Sequence, residues 1–451
     1  MQEGGWKVKI KSVTVGGFKN LDKTKLLLDN ITAIISPNNY GKSNLLEAID
    51  FGCEFLSLNP RERKAMMRWP RGIPINRKLA NSVFSFEIEF EDPALAEYRF
   101  IRYGYEFEWY RDDGSGQRII NEWIEARSSE SVRYTSYLKR TEGKYRKEKD
   151  TLSYRKINLS DAQLAIDVLS AIDDIAIYPV ISAIKSFDYH VCSSLDLRDR
   201  FISMPIEYVD QKNDEGVRFD DKDVPRALYQ LMQSFPDKYN LFLEAVYALF
   251  PEFTEVSVLP YEVRKEVKEF KLVTADANGT ISESEVNTEE DIPFRLRDEL
   301  YKVIITHKDL NQPIDMAMMS TGTKRVFWLL ANVFIAGSKN ITLIGIEELE
   351  TSIHPRLLKR MLEILDEALE DTSIIISSHS PYLVQYFKPE KIFVGVPTNN
   401  GIAIFKKVKP SRTKALLSTA RDLEMTIGEY LFELMSGDQD SADTLSFFLE
   451  D

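Results

Sequence analysis

The sequence has few of the residues that build disulfide frameworks, metal centres or membrane spans. Its 451 residues include two cysteines and four histidines, which show no metal-ligand spacing. So few cysteines argue against a disulfide framework and favour a reducing compartment, so the expected location is the cytoplasm. No run approaches the ~18 apolar residues that cross a bilayer, and the amino terminus lacks the apolar segment of a secretion signal. No membrane association is expected, and any metal would be an oxygen-bound Mg²⁺.

Positively charged residues are outnumbered by negatively charged ones, with 58 Lys and Arg against 71 Asp and Glu. The net charge of −13 opposes non-specific nucleic-acid binding by the surface as a whole. Two stretches are locally basic, and their basic residues are Arg61, Arg63, Lys64, Arg68, Arg71, Arg77 and Lys78, then Lys139, Arg140, Lys144, Arg146 and Lys147. Such runs are typical of solvated faces as well as of nucleic-acid sites. A DNA or RNA partner would therefore bind at one of these stretches.

Hydrophobic periodicity predicts an α/β protein with an interrupted sheet. Short apolar runs at 31–35, 341–346, 373–377 and 391–396 are typical of buried parallel strands, with a covering helix over 355–370. Because the first run lies some 300 positions before the others, we expect one sheet interrupted by an insertion. The predicted segments are 1–82, a strand-rich arm over 83–160, a mainly helical insertion over 161–300, and 301–451.

The arm and the insertion carry their own local signals. Strict alternation between 83 and 147 predicts an antiparallel meander, whereas 162–184 and 226–250 show helical spacing. Asn278-Gly279 suits the turn of a β-hairpin, and the acidic stretch 283–291 is expected to be an exposed loop. We found no internal repeat, heptad array or low-complexity segment.

The clearest functional signal is the loop that follows the apolar run 31–35 and precedes a helix-like pattern. It reads Asn38-Asn39-Tyr40-Gly41-Lys42-Ser43-Asn44. Backbone N–H groups of such a loop and helix start wrap nucleotide phosphates, Lys42 would neutralise the β and γ oxygens, and the Ser43 hydroxyl can ligate Mg²⁺. The usual motif begins with glycine where this chain has Ser36, so a solvated turn is the alternative for the loop taken alone.

Three later motifs suit the same chemistry. One apolar run ends in Glu347 and Glu348, and another leads to His379, which can donate to a phosphate oxygen. Ser320 and Gly322 precede an apolar helix and could form an anion-binding helix start. Helix caps and a structural histidine are the alternatives for each motif alone. Their order along one chain favours a shared functional site.

In this order the motifs resemble those of ATP-binding-cassette (ABC) ATPases of the RecF and SMC type. The chain is more closely similar to the compact branch that contains the overcoming-lysogenization-defect (OLD) nucleases and related anti-phage ATPases. Direct similarity covers about 1–60 and 300–400, and weaker similarity extends through the insertion. The resemblance implies an α/β fold: an ABC-type ATPase head with a mostly parallel core sheet, an antiparallel β arm and an inserted helical and β subdomain.

The resemblance also implies a role for each motif, with ATP and Mg²⁺ as cofactors. Glu348 matches the catalytic base, Glu347 the Mg²⁺-side acid of Walker B, and His379 the switch histidine. Ser320 and Gly322 match the signature motif, which contacts the γ-phosphate of ATP held by the other protomer, so a homodimer or higher homo-oligomer with composite ATP sites is expected. The Walker A loop would comprise Asn38, Asn39, Gly41, Lys42, Ser43 and Asn44, with Lys42 on the phosphates and Ser43 on Mg²⁺.

Three residues depart from the family pattern, and the segment after Walker B matches it. Ser36 replaces glycine, Glu347 stands where many relatives have aspartate, and Leu349 where proline is common. The residues Glu350 to Pro355 (ETSIHP) match the family, including its His-Pro. ATP binding is therefore expected, with slow hydrolysis.

Three functions compete at this stage. The first is a regulatory ATPase that controls a separate effector such as a nuclease, as in anti-phage systems resembling Septu or PARIS. The second, a self-contained OLD-type nuclease, would need a Toprim domain after His379, whereas Asp438-Gln439-Asp440 is expected in a polar tail. The third is a RecF-like DNA-repair ATPase that uses residues 61–78. The absence of a recognisable effector domain favours the first.

Overall fold

The computed structural model divides the chain into two compact units. The first comprises residues 1–193 and 340–451, and the second comprises 194–339. The structure describes residues 8–68, 73–111, 113–145, 155–172, 175–192, 199–203, 206–208, 223–262, 271–275, 281–285, 294–296, 299–338, 341–369, 372–398, 400–437 and 439–450. In the part of the chain covered by these ranges, no helix has the length and apolar character needed to cross a membrane.

The amino-terminal part of the first unit is rich in strands. Its helices are α1 (Lys42–Ser57), α2 (Pro60–Met66), α3 (Ala165–Leu169) and α4 (Tyr178–Lys185). Its strands are β1 (Lys9–Gly16), β2 (Thr24–Leu27), β3 (Ile31–Ile35), β4 (Phe84–Glu91), β5 (Phe100–Glu108), β6 (Arg118–Arg127), β7 (Thr135–Lys139), β8 (Lys144–Tyr145), β9 (Arg155–Lys156) and β10 (Tyr189–Cys192).

The β arm is an antiparallel sheet that packs against α1. Its strand order is β2-β1-β4-β5-β6-β7-β8-β9. Within it, β4 to β8 form the antiparallel meander that the alternation between 83 and 147 predicts. Alternate residues of β4 and β5 face the helix, because successive side chains of a strand point to opposite faces. Phe55 of α1 stacks on Tyr105 and Phe107 with ring centroids 5.0 Å apart. The arm therefore shares its core with the helix that follows the candidate phosphate loop.

The second unit contains smaller sheets and three helices. Its helices are α5 (Val224–Ser234), α6 (Pro236–Leu249) and α7 (Thr321–Ser338). Its strands are β11 (Ile206–Tyr208), β12 (Phe253–Glu262), β13 (Lys271–Ala275), β14 (Ile281–Glu285), β15 (Phe294–Leu296), β16 (Glu299–His307) and β17 (Ile314–Asp315). They form an antiparallel sheet β12-β16-β17 and the pairs β11-β15 and β13-β14. Phe242 of α6 packs edge-on against Phe327 of α7 with ring centroids 5.2 Å apart, within this unit's core.

Several predicted elements differ from the structure. The helix predicted over 226–250 is two helices, α5 and α6, because Phe235 precedes Pro236 and proline disfavours helical backbone in the residue before it. The spacing over 162–184 likewise corresponds to two short helices, α3 and α4. The predicted hairpin is present as β13-β14, although its turn at Asn278-Gly279 lies outside the described residues. Glu283–Glu285, expected in a loop, belong to β14, and the rest of that acidic stretch lies outside the described residues.

The chain returns to the first unit after residue 339. The strands are β18 (Leu343–Glu347), β19 (Ser373–Ser378), β20 (Ile392–Gly395) and β21 (Phe405–Lys407). The helices are α8 (Pro355–Ala368), α9 (Pro381–Val384), α10 (Thr413–Asp422), α11 (Ile427–Ser436) and α12 (Gln439–Phe448). Gln439 and Asp440, expected in a polar tail, begin α12, and Asp438 lies outside the described residues.

The core sheet contains strands that precede the second unit in the sequence and strands that follow it. Its order is β10-β18-β19-β3-β20-β21, and every pair is parallel except β20-β21. Strand β3, from near the amino terminus, lies between β19 and β20. Buried apolar runs without alternation form these strands, as expected for a parallel sheet covered on both faces. The strands that come before and after the second unit in the sequence thus lie in one sheet, as the sequence predicts.

Candidate functional site

The predicted site residues of the first unit meet at the carboxyl edge of the core sheet. Ile35, the last residue of β3, pairs with Ser378 of β19 on one side and Val394 of β20 on the other. Glu347 at the end of β18 pairs with Ser377. Because parallel strands end at the same edge, the loop after β3, the acids after β18 and His379 after β19 are neighbours. This edge is where α/β sheets place their ligands.

The side chain of Lys42, in the loop after β3, folds back onto the backbone of that loop. The Lys42 ammonium donates to the carbonyl oxygens of Ser36 at 2.8 Å and Pro37 at 3.1 Å. Helix α1 begins at Lys42, and Gly41 before it has a φ of 133°, which disfavours any side chain. The first N–H groups of α1 have no acceptor within the helix, and its first turn carries no acidic residue. The loop therefore offers N–H donors and an ammonium group to an anion.

Ser36, the departure from the usual motif, fits because a neighbouring strand provides space. Its side chain is fully buried. A Cβ on Gly395 of β20 would lie only 2.6 Å from the Ser36 Cβ. The glycine that the motif lacks at position 36 is thus matched by a glycine on the adjacent strand.

Two residues that sequence reasoning did not assign to the site support the loop. Asn20 donates from Nδ2 to the Tyr40 carbonyl at 2.9 Å and accepts from Asn44 at 2.7 Å. The Tyr40 hydroxyl donates to the Val396 carbonyl and accepts from the Ile404 N–H. Burial raises the pKa of Tyr40. The only sequence signal for Asn20 is its place in the Gly-Gly-Phe-Lys-Asn turn after the first strand.

Three carboxylates at the end of β18 and just after it act on the pKa of Lys42. Burial lowers the pKa of Lys42, and the charges of Glu348, Glu350 and Glu347 oppose that shift. Glu348 has a φ of 46°, a conformation unusual for a residue with a side chain. Its N–H donates to the Ser377 carbonyl at 2.9 Å, and its own carbonyl accepts from Thr351 at 3.0 Å. These two bonds hold the unusual backbone at the strand end.

His379 lies against the predicted base. Its Nδ1 is 3.3 Å from Glu348 Oε1 and 3.9 Å from Glu350 Oε1. The nearer contact does not have hydrogen-bond geometry. The side chains of His379 and Glu348 are each more than one-third exposed, so a bound molecule could reach both.

The site fits Mg²⁺ only together with a ligand that brings oxygen atoms. Across the described ranges, no group of three or more His, Cys, Asp or Glu side chains could hold a metal ion. Mg²⁺ in nucleotide sites binds one or two protein oxygens and completes its shell with phosphate and water. The exposed Ser43 hydroxyl and the half-buried Glu347 carboxylate are the predicted protein oxygens. This donor set suits a metal carried by a phosphate ligand.

Ser320 and Gly322 lie in the second unit, at the start of α7. The Ser320 hydroxyl accepts from the Thr323 N–H at 3.2 Å, and the Ser320 carbonyl accepts from Lys324 at 3.0 Å. Ser320 therefore caps the helix, which was the structural alternative for this motif. Its side chain is exposed, and the helix behind it is eighteen residues long.

The structure changes the interpretation of the two basic stretches. Arg63 is 1% exposed and binds the carbonyls of Phe55 and Leu56 and the Asp167 carboxylate. Arg140 is also largely buried and donates to the Gln163 and Ser160 carbonyls. Neither arginine is available to a nucleic acid, so both are removed from the candidate surfaces. Arg71, Arg146 and Lys147 lie outside the described residues.

Solved structures with a similar fold include SMC head domains. An SMC head bound to the C-winged helix domain of ScpA is 13% identical, covers 90% of this chain and 99% of its own, and has a TM-score of 0.50. An SMC head with an extended coiled coil from Pyrococcus furiosus, bound to the C-terminal domain of ScpA, is 12% identical, covers 92% and 100%, and has a TM-score of 0.47. The SMC head from Thermotoga maritima is 12% identical, covers 89% and 99%, and has a TM-score of 0.42. No curated protein sequence matches the chain.

The chain has the mixed α/β fold of an SMC head domain, which confirms the predicted fold class. The chain belongs to the family described as "AAA domain, putative AbiEii toxin, Type IV TA system", whose match spans residues 31–385. That match includes the loop around Lys42, the Ser320 and Gly322 motif, the acids after β18, and His379.

Proposed function

We propose that this protein binds ATP with Mg²⁺ and hydrolyses it. One observation carries the proposal: the loop with Lys42, the carboxylates of Glu347 and Glu348, and His379 meet at one edge of the core sheet. A charged loop lysine, an adjacent acid pair and a histidine are the groups that phosphoryl transfer to water requires.

Each residue has a task in this proposal. Lys42 exchanges the carbonyls of Ser36 and Pro37 for phosphate oxygens, and the α1 amino terminus adds N–H donors. Ser43 and Glu347 hold Mg²⁺, which neutralises charge on the phosphates when bound. Glu348 takes a proton from the attacking water, and His379 donates to the terminal phosphate. Asn38, Asn39, Gly41 and Asn44 shape the loop.

The direct test is ATP binding by the wild type and by Lys42→Ala. We expect Lys42→Ala to abolish binding in titration calorimetry, because the ammonium is the buried cation of the loop. Lys414→Ala, an exposed lysine on α10, serves as the matched control and should bind normally. Unchanged affinity in Lys42→Ala would disprove the loop assignment.

We further propose that two copies assemble around ATP. Ser320 and Gly322 of one subunit would complete the site of the other, since the exposed start of α7 can present N–H groups to a phosphate. Binding would close the dimer and hydrolysis would release it.

The cellular role that we propose is control of a separate effector, a nuclease, in anti-phage defence. The family description, which names a toxin and a toxin–antitoxin system, supports a defence role. The described residues after His379 form strands β20 and β21 of the core sheet and helices α9 to α12. The runner-up, a RecF-like DNA-binding ATPase, would use residues 61–78 without Arg63, which is buried.

A further inference from the structure

Glu350 is a largely buried acid beside the site with no task in the proposed mechanism. Its side chain is 12% exposed. Oε1 accepts the Ser378 hydroxyl at 2.6 Å and the His379 N–H at 3.3 Å. Oε2 is buried and has no hydrogen-bond partner within the described part of the chain. A buried carboxylate costs free energy unless its bonds repay it, so its position calls for an explanation.

The contacts of Glu350 join the ends of two strands. Its carbonyl accepts from Ile353 in the turn after β18, whereas Ser378 ends β19. The Ser378 hydroxyl, besides donating to Glu350, accepts the Ser380 N–H at 2.9 Å. Carboxylate, hydroxyl and backbone thus form one chain of hydrogen bonds around His379. Movement of the segment after β18 would move the histidine with it.

The Nδ1 atom of His379 lies near two carboxylates that belong to that same segment. The distance from Nδ1 is 3.3 Å to Glu348 Oε1 and 3.9 Å to Glu350 Oε1. Glu350 also accepts a hydrogen bond from the His379 backbone N–H, so it fixes the position from which the imidazole ring extends. The contact between His379 Nδ1 and Glu348 Oε1 lacks hydrogen-bond geometry.

We propose that Glu350 is a positioning residue for ATP hydrolysis, acting through His379 and Ser378. It holds the histidine beside Glu348 by accepting hydrogen bonds rather than by touching the nucleotide or its metal. The inference rests on the proposed ATPase function and adds a residue that couples the acids after β18 to the histidine after β19. A residue of this kind alters turnover and leaves ATP affinity unchanged.

The kinetic test compares Glu350→Ala, Glu350→Gln, His379→Ala and the double variant Glu350→Ala/His379→Ala. We expect Glu350→Ala to lower kcat about 10–100-fold, as loss of a supporting hydrogen bond does in other sites, with the ATP dissociation constant within about twofold of wild type. Glu350→Gln keeps an acceptor oxygen and should retain most activity. The double variant should be no slower than His379→Ala, because residues that act as one unit are not additive.

Three results would overturn the inference. These are normal turnover in Glu350→Ala, loss of ATP binding in that variant, or losses that multiply in the double variant. An equal loss in Glu350→Gln would show that the negative charge, rather than the acceptor, is what matters. Glu363→Ala, an exposed acid on α8 that pairs with Arg360, is the control and should behave as wild type.

A second measurement does not depend on ATP turnover. The sequence has four histidines, so ¹⁵N imidazole NMR spectra are simple and His379→Ala identifies the signal of His379. We expect Glu350→Ala to shift the His379 signal and leave the other three in place. A wild type without hydrolysis would refute the proposed function alone, whereas an unmoved His379 signal would refute the positioning role.

Discussion

At the scale of single residues, the Ser36 and Gly395 pair shows how the loop tolerates a departure from its motif. Ser36 is fully buried under the loop, and its Cβ fills the space that a side chain at position 395 would need. The two positions are far apart in sequence and adjacent in the sheet. Sequence reasoning counted Ser36 against the loop because the usual motif has glycine at that position. The compensating Gly395 was not recognised because it lies on another strand.

Gly395→Ala should therefore damage the site. The new Cβ would lie 2.6 Å from the Ser36 Cβ and 2.8 Å from the Tyr40 ring. We expect a loss of about 1–3 kcal/mol of unfolding free energy, measured by urea denaturation, together with weaker ATP binding. Adding Ser36→Gly should restore part of the loss, since one of the two clashes disappears.

Gly337→Ala is the matched control for this experiment. Among the residues that the structure describes, a Cβ at Gly337 would meet only the Lys238 ammonium at 3.7 Å, which is ordinary contact. In α7 the exchange should be neutral or stabilising, because alanine is the better helix former. If Gly395→Ala behaved like Gly337→Ala, the packing explanation for Ser36 would be wrong.

At the scale of elements, Arg63 ties α1 to its neighbours. It lies on α2, binds the last carbonyls of α1 at Phe55 and Leu56, and pairs with Asp167 of α3 at 2.5 Å. Cations stabilise helix carboxyl ends, where carbonyl groups lack partners. The amino end of α1 is thus left open for an anion while its carboxyl end is fixed.

Arg63→Ala should lower the unfolding free energy by about 3 kcal/mol, because two carbonyls and a carboxylate lose their partner. Arg61→Ala, an exposed arginine on the same helix, should change it by less than about 0.5 kcal/mol. Urea denaturation of both variants measures the difference. Equal stability of the two would contradict the structural role of Arg63.

Local pattern predicted the strands better than the helices. Alternation and buried apolar runs identify β4 to β7 and the core strands β3, β18, β19 and β20, because those periods are set by backbone geometry. The core strands β10 and β21 were not predicted. The break between α5 and α6 was overlooked because apolar spacing continues across Pro236, although proline itself marked the boundary. The support of the loop by Asn20 and Tyr40 had no local pattern, since its partners Asn44, Val396 and Ile404 are identified only by the fold.

At the scale of the whole molecule, the proposed mechanism predicts a change of assembly. Glu348→Gln keeps the side-chain shape and removes the base, so ATP should accumulate and hold two copies together. We expect light scattering to show an ATP-dependent dimer with little turnover, and capture with this form from the native host to yield the effector. Normal hydrolysis by Glu348→Gln would refute the base assignment.

The control for this experiment is the double variant Lys42→Ala/Glu348→Gln. It cannot hold the nucleotide, so it should remain in the assembly state of the ATP-free protein. A dimer that forms in the double variant, or without ATP, would show that association does not use the nucleotide.

The position of β3 in the core sheet also determines when, during synthesis, the core sheet can fold. Ile31 pairs with Ile374, and Ile35 pairs with Val394, so the strand that carries the loop has no neighbours until the carboxyl-terminal strands are made. During synthesis the Lys42 segment leaves the ribosome before the second unit, and it lacks its partner strands while the whole second unit is translated. Pairings this distant along the chain close slowly. A nascent or truncated chain that stops before β19 lacks the strand that leads to His379, so under the proposed function it should not assemble the ATP site.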